Sequence, residues 1–430
     1  MKQKVIVRAP VLTRSGYGEH GRFVLRALRS VEDKYDIHVI PVNWGKCGWI
    51  SGDDEERAWI DELIQKTAVY HHRSGGKPQY DISLQVTIPN EWQPMAPINI
   101  GVTAGIETSR VAPVWLEKAN FMNKIVVVSE HSKQVFLNSV YDGIDNRTGE
   151  KAELRCNKDI EVVHYPVKKH EEVDLNLNIE TDFNFLTVAQ WGPRKNLENT
   201  VRWFVEEFID NPDVGLVLKT FSSGNSLLDR EDMQTVLAGM LNQYENRQCK
   251  VYLLHGDMSD QEMDSLYKHP KINALVSLTH GEGFGLPLFE AAYNGMPVLA
   301  PEWSGHVDFL FAPKKDKKSG KEKMKPHFAR VEYDLEPIPE HAVWDGVLER
   351  GSLWAYPKQG SYKMKLREMY KDYGRFKKHA KDLKKWILKN FSEEGQYTAF
   401  ANCLTEYVKE PEENMDVQGW LDELNEETYE

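Results

Sequence analysis

Cysteine is scarce in this sequence of 430 residues, and the four that occur are Cys47, Cys156, Cys249 and Cys403. They lie far apart and form no C-x-x-C pair, which argues against a disulfide framework and a cysteine-based zinc site and is typical of a reducing cytosol. No apolar run approaches the roughly 20 residues of a membrane span, which excludes an integral membrane protein. The opening stretch MKQKVIVRAP contains no small-residue cleavage site, so we expect no secretory signal and a cytoplasmic protein.

Basic charge is not in excess either, because 54 Lys and Arg residues stand against 66 Asp and Glu residues, for a net charge of −12. This balance argues against a basic nucleic-acid-binding protein. Residues 410–430 carry nine acidic residues and no basic one, as expected for a solubilising tail with weak order. Residues 314–325 have the opposite imbalance, and we interpret them as a solvated loop or as a contact for a polyanion. The seven lysines of this segment are Lys314, Lys315, Lys317, Lys318, Lys321, Lys323 and Lys325.

The chain is longer than a single hydrophobic core usually supports, which predicts two domains. Short β-rich runs alternate with helical patterns, stop at the polar stretch 168–181 and then restart. The runs are 4–8, 36–42, 81–86, 98–102 and 124–128 before that stretch, and 183–188, 214–219, 250–254, 272–278 and 297–300 after it. Such alternation indicates parallel sheets with helices on both faces. The sequence therefore predicts an α/β protein with two Rossmann-like domains facing a central cleft.

A G-x-G-x-x-G pattern, formed by Gly16, Gly18 and Gly21, follows the first predicted strand. This pattern can indicate a dinucleotide cofactor, but residues 9–15 separate it from the strand, whereas the dinucleotide fingerprint has an immediate turn. The end of the second strand, residues 39–43, also lacks the acidic residue that would hold a ribose. We therefore interpret Gly16 and Gly18 as part of a glycine-rich loop near a phosphate, or as a flexible turn.

The most informative segment is 279–299, THGEGFGLPLFEAAYNGMPVL. A predicted strand ends there in a glycine-rich loop, and Pro287 suits the first turn of the following helix. Free N–H groups and the helix dipole make such a helix start an anion site. Glu282 and Glu290, with seven residues between them, are suited to accept hydrogen bonds from sugar hydroxyls that flank a phosphate. A tight turn with two exposed glutamates is the structural alternative.

This segment, continued through GMPVLA at 295–300, resembles the donor-site signature of retaining glycosyltransferases of the GT-B fold, specifically family 4. The resemblance implies that Glu282 binds hydroxyls of the donor sugar and that Glu290 holds the nucleotide ribose. It also implies that backbone amides of the glycine-rich loop lie against sugar and phosphate. These amides belong to Gly283, Phe284, Gly285 and Leu286.

The sequence AQWGPRKN follows the first predicted strand of the second domain, and we expect Asn196 to cap the next helix. The family usually places an Arg, and five residues later a Lys, on the donor diphosphate. Lys195 matches that Lys, whereas Gln190 stands at the Arg position, so we expect Arg194 or Lys219 to supply the second charge. Two cations and a helix N-terminus would stabilise a departing nucleoside diphosphate. A surface Arg–Lys pair is the alternative.

Other loops supply further candidates. Residues 255–259, which include Met258, correspond to the place where such enzymes hold the nucleobase. Glu107 lies in the loop after the predicted strand 98–102, where many relatives place a His near the sugar. We interpret Glu107 as a sugar or acceptor contact or as a structural residue. We interpret His131 as a helix-start residue rather than a base, and residues 303–308 resemble the family's glycine loop near the donor.

Taken together, the residues and the resemblance predict a retaining hexosyl- or pentosyltransferase that moves a sugar from a UDP- or GDP-sugar to an acceptor hydroxyl. The predicted catalytic residues are Glu282, Lys195, Arg194 and Glu107. We expect no tightly bound cofactor and no obligatory metal, since no His/Asp cluster has metal-ligand spacing. The expected domains are an N-terminal acceptor domain, a C-terminal donor domain and a final segment whose helix packs back on the N-terminal domain. Their boundaries are 1–170, 171–392 and 393–430.

The stretches 8–30 and 105–133 are similar to family members from bacteriophages and environmental viruses, which can decorate hydroxymethylated DNA bases. A 5-hydroxymethylated pyrimidine in phage DNA is therefore one candidate acceptor, held by the lysines of 314–325 and by Arg8, Arg14 and Arg110, and the protein would then act in the bacterial host cytoplasm. A polysaccharide, a protein or a small molecule is the alternative acceptor. A sugar-nucleotide epimerase of the same fold and a catalytically silent polyanion-binding protein are two competing functions.

Overall fold

Two parallel sheets, one in each half of the chain, organise the protein. A computed structural model describes residues 2–45, 47–50, 52, 54–144, 149–315 and 320–408. The strands of the first half are β1 (Gln3–Ala9), β2 (Tyr35–Pro41), β3 (Ile82–Val86), β4 (Ile98–Thr103), β5 (Lys124–Val127), β6 (Tyr141–Ile144), β7 (Lys151–Leu154) and β8 (Ile160–Val162). The helices of this half are α1 (Gly16–Arg29), α2 (Glu55–Arg73), α3 (Pro113–Ala119) and α4 (Glu130–Asn138).

The first sheet has the strand order β2-β1-β3-β4-β5-β8, and all of its neighbouring strands run parallel. Its central strands are runs of β-branched and aliphatic residues, and Val5, Ile6 and Val7 of β1 are completely buried. The direction of strand addition reverses between β1 and β3. Ligands of open α/β sheets bind outside the carboxyl ends of the strands at such a reversal, so the loop after β1 borders a potential site.

The second half repeats this design. Its strands are β9 (Phe183–Gln190), β10 (Val214–Phe221), β11 (Lys250–Leu254), β12 (Ala274–Val276), β13 (Val298–Pro301), β14 (Phe311–Lys315), β15 (Glu322–Pro326), β16 (Ala329–Val331), β17 (Tyr333–Pro337) and β18 (Leu353–Pro357). Its helices are α5 (Leu197–Phe208), α6 (Leu227–Leu241), α7 (Asp260–Lys268), α8 (Leu286–Asn294), α9 (Val307–Leu310), α10 (Gln359–Lys371), α11 (Tyr373–Asn390) and α12 (Glu393–Asn402). The sheet order is β11-β10-β9-β12-β13-β16, again parallel, with a reversal between β9 and β12.

These two sheets confirm the predicted α/β class with two Rossmann-like units. Three predicted helix starts, Leu197, Asp260 and Leu286, are the first residues of α5, α7 and α8, whereas α6 begins at Leu227 rather than near Arg230. The antiparallel hairpins β6–β7, β14–β15 and β17–β18 were not predicted from the sequence. The interpretation of residues 314–325 as a loop is wrong for the described residues of β14 and β15, while Lys317 and Lys318 lie outside the described part of the chain.

The glycines of the G-x-G-x-x-G pattern lie in helix α1, so their interpretation as a loop or flexible turn is wrong. Ser15 caps this helix by accepting a hydrogen bond from the N–H of Gly18. A Cβ on Gly18 would lie 2.1 Å from the carbonyl oxygen of Thr13, and a Cβ on Gly21 would lie 2.9 Å from the Cβ of Ala9. The glycine spacing therefore allows α1 to pack closely on the end of β1.

The end of the described chain returns to the first half. Phe400 of α12 is completely buried, and its ring packs edge-on against Phe23 of α1 with a centroid distance of 5.7 Å. Just beyond the helix, Oε1 of Glu406 forms an ion pair with Nζ of Lys124 at 2.6 Å. The acidic tail, residues 410–430, lies outside the described residues. None of the helices described is both long enough and apolar enough to cross a membrane.

Candidate functional site

A cavity of about 860 Å³ lies between the two halves, at the carboxyl ends of both sheets. The loops after β1, β4, β9 and β12 and the start of α8 contribute to its wall. The predicted site residues in this wall are Gly16, Glu107, Arg194, Lys195, Lys219, Met258, Glu282, Gly283, Phe284, Gly285, Leu286 and Glu290. Gly18, also predicted as a binding residue, is not among the residues that line the cavity.

The Glu282 carboxylate pairs with two cations in the cavity wall. Its Oε1 lies 2.5 Å from Lys195 Nζ, and its Oε2 lies 3.2 Å from Nη1 of Arg194. The other guanidinium nitrogen of Arg194 lies 3.3 Å from Oε1 of Glu107. The four residues predicted to be catalytic therefore form one chain of alternating charge, in the order Glu107, Arg194, Glu282 and Lys195.

Burial and charge act in opposite directions on this cluster. Burial, the largest single influence, favours the neutral form of the Glu282 carboxyl, yet the charges of Lys195 and Arg194 outweigh it and lower the pKa of Glu282 to about 2. Burial and the neighbouring charge of Arg194 lower the pKa of the Lys195 ammonium. Glu282 is therefore an anion at neutral pH and a hydrogen-bond acceptor on both oxygens.

Glycines bring the Glu282 loop close to the first half of the protein. A Cβ on Gly281 would lie 2.1 Å from the carbonyl oxygen of Glu107, and a Cβ on Gly283 would lie 2.1 Å from that of Ala104. The hydroxyl of Ser129 donates to the carbonyl oxygen of Gly283 at 2.6 Å. Glycine is required at these two positions because backbone of the other half occupies the space of a side chain.

The loop that carries Arg194 and Lys195 is a 3₁₀ turn, Pro193–Lys195, between β9 and α5. Asn196 ends this turn in the left-handed conformation, with φ of 55°, and its side chain does not cap α5. Asn196 therefore occupies the predicted N-cap position of α5, although it makes no side-chain cap hydrogen bond. The Asn196 side chain instead donates to the carbonyl oxygen of Leu278 at 3.3 Å, which ties the Lys195 turn to the loop after β12.

Helix α8 directs its N-terminus into the cavity. Gly285, with φ of 93°, precedes it and has no side chain to cap the first N–H groups, while Pro287 occupies the first turn as predicted. Glu290, one turn into the helix, accepts a hydrogen bond of 2.9 Å from the hydroxyl of Tyr267. Burial raises the pKa of the Glu290 carboxyl to about 7. The helix start therefore presents N–H groups without a side-chain cap, which favour an anion, beside a carboxyl group with a pKa of about 7.

Lys219 and Met258 lie in the wall of the same cavity, in the part formed by the second half. The ammonium of Lys219, at the end of β10, donates to the carbonyl oxygen of Gly256, and burial lowers its pKa. Arg14 of the first half donates to the carbonyl oxygen of Met258 at 3.1 Å. Gln190, at the position where the family has an Arg, lines the cavity but donates its amide to the carbonyl oxygen of Ser222 at 2.8 Å.

The remaining candidates lie outside the wall of the cavity. His131 follows Ser129, the cap of α4, so it stands at a helix start as expected, and burial lowers its pKa to about 4. Asp308, in the predicted glycine loop, accepts a hydrogen bond of 2.7 Å from the N–H of Glu130 and one of 3.0 Å from His164. This pairing joins the two halves behind the Glu282 loop rather than inside the cavity.

The cations expected to contact DNA are dispersed. Of the three arginines, Arg14 lines the cavity, whereas Arg8 pairs with Glu91 at 3.3 Å and Arg110 lies over the ring of Tyr141 at 4.5 Å. The described lysines of 314–325 lie on the β14–β15 hairpin and do not line the cavity. Among the described residues, no group of three His, Cys, Asp or Glu side chains has the geometry to hold a metal ion.

Several cavity residues were not found from the sequence. Tyr267 holds Glu290, and Lys168 of the linker pairs with Glu19 of α1 at 2.6 Å. Trp344 and Leu348 reach the cavity from the connection between β17 and β18. No local spacing links these residues to their neighbours, because each lies far in sequence from the groups that it contacts.

Comparison with known proteins gives a consistent result for the second half of the chain. Residues 170–317 match the family model described as glycosyl transferases group 1. These residues include Lys195, Glu282 and Glu290 and the start of α8. A comparison with curated protein sequences gives no match.

Solved structures match over nearly the full length. The chain is similar to sucrose-phosphate synthase from Thermosynechococcus elongatus, with a TM-score of 0.58, 14% identity and coverage of 94% of this chain and 99% of the other. It is also similar to a glycosyltransferase from Rickettsia africae, with a TM-score of 0.56, 13% identity and coverage of 95% of this chain and 100% of the other. A third similar structure is Anabaena HepE in complex with UDP-glucose, with a TM-score of 0.53, 12% identity and coverage of 94% of this chain and 100% of the other. These similarities show the GT-B fold, in which two Rossmann-like domains face a cleft.

Proposed function

We propose that this protein is a retaining glycosyltransferase of the family 4 type, which transfers a hexose or pentose from a nucleotide sugar to an acceptor hydroxyl. The observation that carries the proposal is the Glu282 carboxylate, held between Lys195 and Arg194 beside the open N-terminus of α8. A diphosphate needs cations and N–H groups, and a sugar needs hydrogen-bond acceptors. This cavity provides both within one cluster.

Donor binding would replace the contacts inside the cluster. The hydroxyls of the transferred sugar would donate to Glu282, and the diphosphate would accept hydrogen bonds from Lys195 and from the first N–H groups of α8. Lys219, also in the cavity wall, is the second cation for the diphosphate. Glu290 would accept hydrogen bonds from the ribose hydroxyls. A UDP-sugar is the proposed donor, supported by the complex of HepE with UDP-glucose.

In the proposed reaction, the bond between the anomeric carbon and the phosphate oxygen breaks, and its electron pair stays on the diphosphate. The acceptor oxygen bonds to the anomeric carbon from the same face, and the acceptor proton passes to the departing phosphate oxygen. The products are a nucleoside diphosphate and a glycoside with the anomeric configuration of the donor. Lys195 and the α8 N-terminus stabilise the negative charge that develops on the leaving group.

Nucleotide release from a panel of UDP- and GDP-sugars tests this proposal, with E282Q as the variant. We expect a loss of about 100-fold or more, because Gln keeps the shape of Glu282 but removes the charge. E198Q, an exposed residue in the first turn of α5, is the matched control and retains full activity. Absence of donor binding and of nucleotide release in the unmodified protein would contradict the proposal. Donor isomerisation without release would favour an epimerase.

The division of labour between the halves is also a proposal. Residues 1–170 would bind the acceptor, residues 171–392 would bind the donor, and residues 393–430 would join the N-terminal domain through α12. A hydroxymethylated pyrimidine in DNA stays a candidate acceptor, for which Arg14 is one of the cavity-lining cations in the first half. Mass spectrometry of nucleosides from hydroxymethylated and unmodified DNA, after reaction with the same donors, tests that acceptor.

A further inference from the structure

Residues 338–352, which join β17 to β18, leave the second half of the protein and pack on the first. We call this segment the strap. Val347 of the strap is 7% exposed and belongs to the same apolar cluster as Trp92 and Trp115 of the first half. A Cβ on Gly346 would lie 3.6 Å from Val114 of α3. The strap therefore has a fixed position across the interface between the halves.

Strand β18 anchors the strap to the two loops that carry the carboxylates of the Glu282 cluster. The N–H of Leu353 donates to the hydroxyl of Ser109 at 2.9 Å, and the N–H of Ser109 donates to the carbonyl oxygen of Leu353 at 3.2 Å. The N–H of Ala355 donates to the carbonyl oxygen of His280 at 3.0 Å. Ser109 follows Glu107 by two positions, and His280 precedes Glu282 by two positions. The strap is therefore held next to the carboxylates of the site.

The strap also supplies apolar surface to the cavity itself. Trp344, Val347 and Leu348 line it, together with Ile88 of the first half. Trp344 is 60% exposed, although a tryptophan in a soluble protein usually buries most of its surface. Its indole is a flat apolar surface at the cavity wall, of the kind that packs against the apolar face of a ring.

The acidic residues of the strap affect which ligands can bind beside its apolar surface. Asp345 and Glu349 directly follow the lining residues Trp344 and Leu348 in sequence, and Arg350 is paired with Glu340. The strap therefore carries a net negative charge beside its apolar surface, with Glu340, Asp345 and Glu349 against Arg350. A phosphate-rich polymer would be repelled there, whereas an uncharged ring with hydroxyl groups would not.

We propose that the strap forms the acceptor wall of the site, that Trp344 stacks on a sugar ring of the acceptor, and that this acceptor is an uncharged saccharide. This inference rests on the proposed glycosyltransferase function. It identifies the class of the acceptor and a residue that determines specificity for it. Trp344 binds the acceptor and takes no part in donor binding.

The test compares W344A with W49A, since Trp49 is 53% exposed but does not line the cavity. Transfer from UDP-glucose and other UDP-sugars is measured onto methyl glucoside, maltose and cellobiose and onto an oligonucleotide with 5-hydroxymethylcytosine. We expect a saccharide to accept sugar, with its KM raised at least tenfold by W344A and unchanged by W49A. The dissociation constant of UDP, measured by calorimetry, is expected to stay within twofold in both variants.

Three results would overturn the inference. The first is an unchanged saccharide KM in W344A, and the second is preferential transfer to the oligonucleotide. The third is donor hydrolysis by the unmodified protein without transfer to any saccharide. That result would still support donor binding and cleavage but would contradict a saccharide acceptor. A failure to bind UDP or release it from any donor would instead contradict the proposed function, and the inference would fall with it.

Discussion

The ammonium nitrogen of Lys195 lies 2.5 Å from Oε1 of Glu282, and both side chains belong to the wall of one cavity. Each of these charges is the partner of the other. A carboxylate buried this deeply persists as an anion only because cations surround it. In the proposed function, a glycosyl donor would separate this pair, so that Lys195 would bind the diphosphate and Glu282 would accept hydrogen bonds from sugar hydroxyls.

Replacement of Lys195 by Met tests the cation side of this pair. We expect nucleotide release to fall about 100-fold or more, because the leaving diphosphate loses a preorganised donor. The pKa of Glu282 is also expected to rise, since Lys195 is the cation that lowers it most. Steady-state release of UDP measures the first effect, and the exposed residue Lys389 provides the control K389M. Equal loss in both variants would contradict a specific role for Lys195.

The Glu290 carboxyl gives a prediction for pH. Burial raises its pKa from 4.5 to about 7 in the folded protein, so the folded state binds the proton more tightly than the unfolded chain does. The associated stability is fully present below pH 4.5 and is lost as the pH rises through 7. We expect E290Q to remove this dependence, so that its free energy of unfolding rises relative to that of the wild type by on the order of 2–3 kcal/mol between pH 5 and pH 8.

Urea unfolding of both proteins across this pH range measures the effect, and the difference between the two curves isolates Glu290 from other titrating groups. Nucleotide binding adds a second readout. If the ribose hydroxyls donate to the Glu290 carboxylate, UDP binding favours the charged form and releases a proton near pH 7. Calorimetry in buffers of different ionisation enthalpy detects that proton. A difference curve that stays flat from pH 5 to pH 8 would show that Glu290 has an ordinary pKa.

Gly283 is expected to tolerate no side chain. A Cβ there would lie 2.1 Å from the carbonyl oxygen of Ala104, so G283A must move the Glu282 loop away from the first half. We expect nucleotide release to fall by at least tenfold. The control G239A lies on the exposed last turn of α6 with no atom within 4 Å of its Cβ, and it is expected to stabilise the protein by up to about 0.5–1 kcal/mol. Full activity of G283A would mean that the two loops separate freely.

The parts of the site predicted from sequence are those whose chemistry is local. Glu282 and Glu290 flank a helix start that Pro287 marks, and Lys195 follows a buried strand, so strand, loop and helix patterns place them near one another. The two parallel sheets follow from the same patterns, since runs of apolar residues separated by helices have few alternative arrangements.

Long-range contacts account for what the sequence did not predict. Asn196 is left-handed at the cap position of α5, and its side chain donates to the carbonyl oxygen of Leu278 in another loop, a contact that local capping preferences do not contain. The glycine pattern indicates that Gly18 belongs to a phosphate-binding loop, but in the structure the absence of a side chain at Gly18 leaves space for Thr13. Trp344 gives no signal because its connection, which follows the largely exposed strand β17 and contains Gly346 and Gly351, resembles an ordinary surface turn.

Lys168 is expected to hold the two halves together. It lies in the linker, 2.6 Å from Oε1 of Glu19 on α1 and 3.6 Å from Oδ2 of Asp260 on α7, and it lines the cavity. We expect K168M to lower the free energy of unfolding by on the order of 1–2 kcal/mol, because Glu19 loses one of its cations while Arg22 and Arg26 still compensate it. The adjacent exposed residue Lys169 provides the matched control K169M.

The pH dependence of this loss identifies its cause. Burial acts against the charge of Glu19, but Lys168, Arg26 and Arg22 lower its pKa well below the ordinary 4.5. The stability that these pairs contribute is present above pH 4.5 and decreases as the pH falls further. The difference between wild type and K168M in urea unfolding is therefore expected to be constant from pH 6 to pH 8 and to shrink below pH 4.5. A difference that persists at low pH would assign the effect to lost packing of the lysine side chain rather than to its charge.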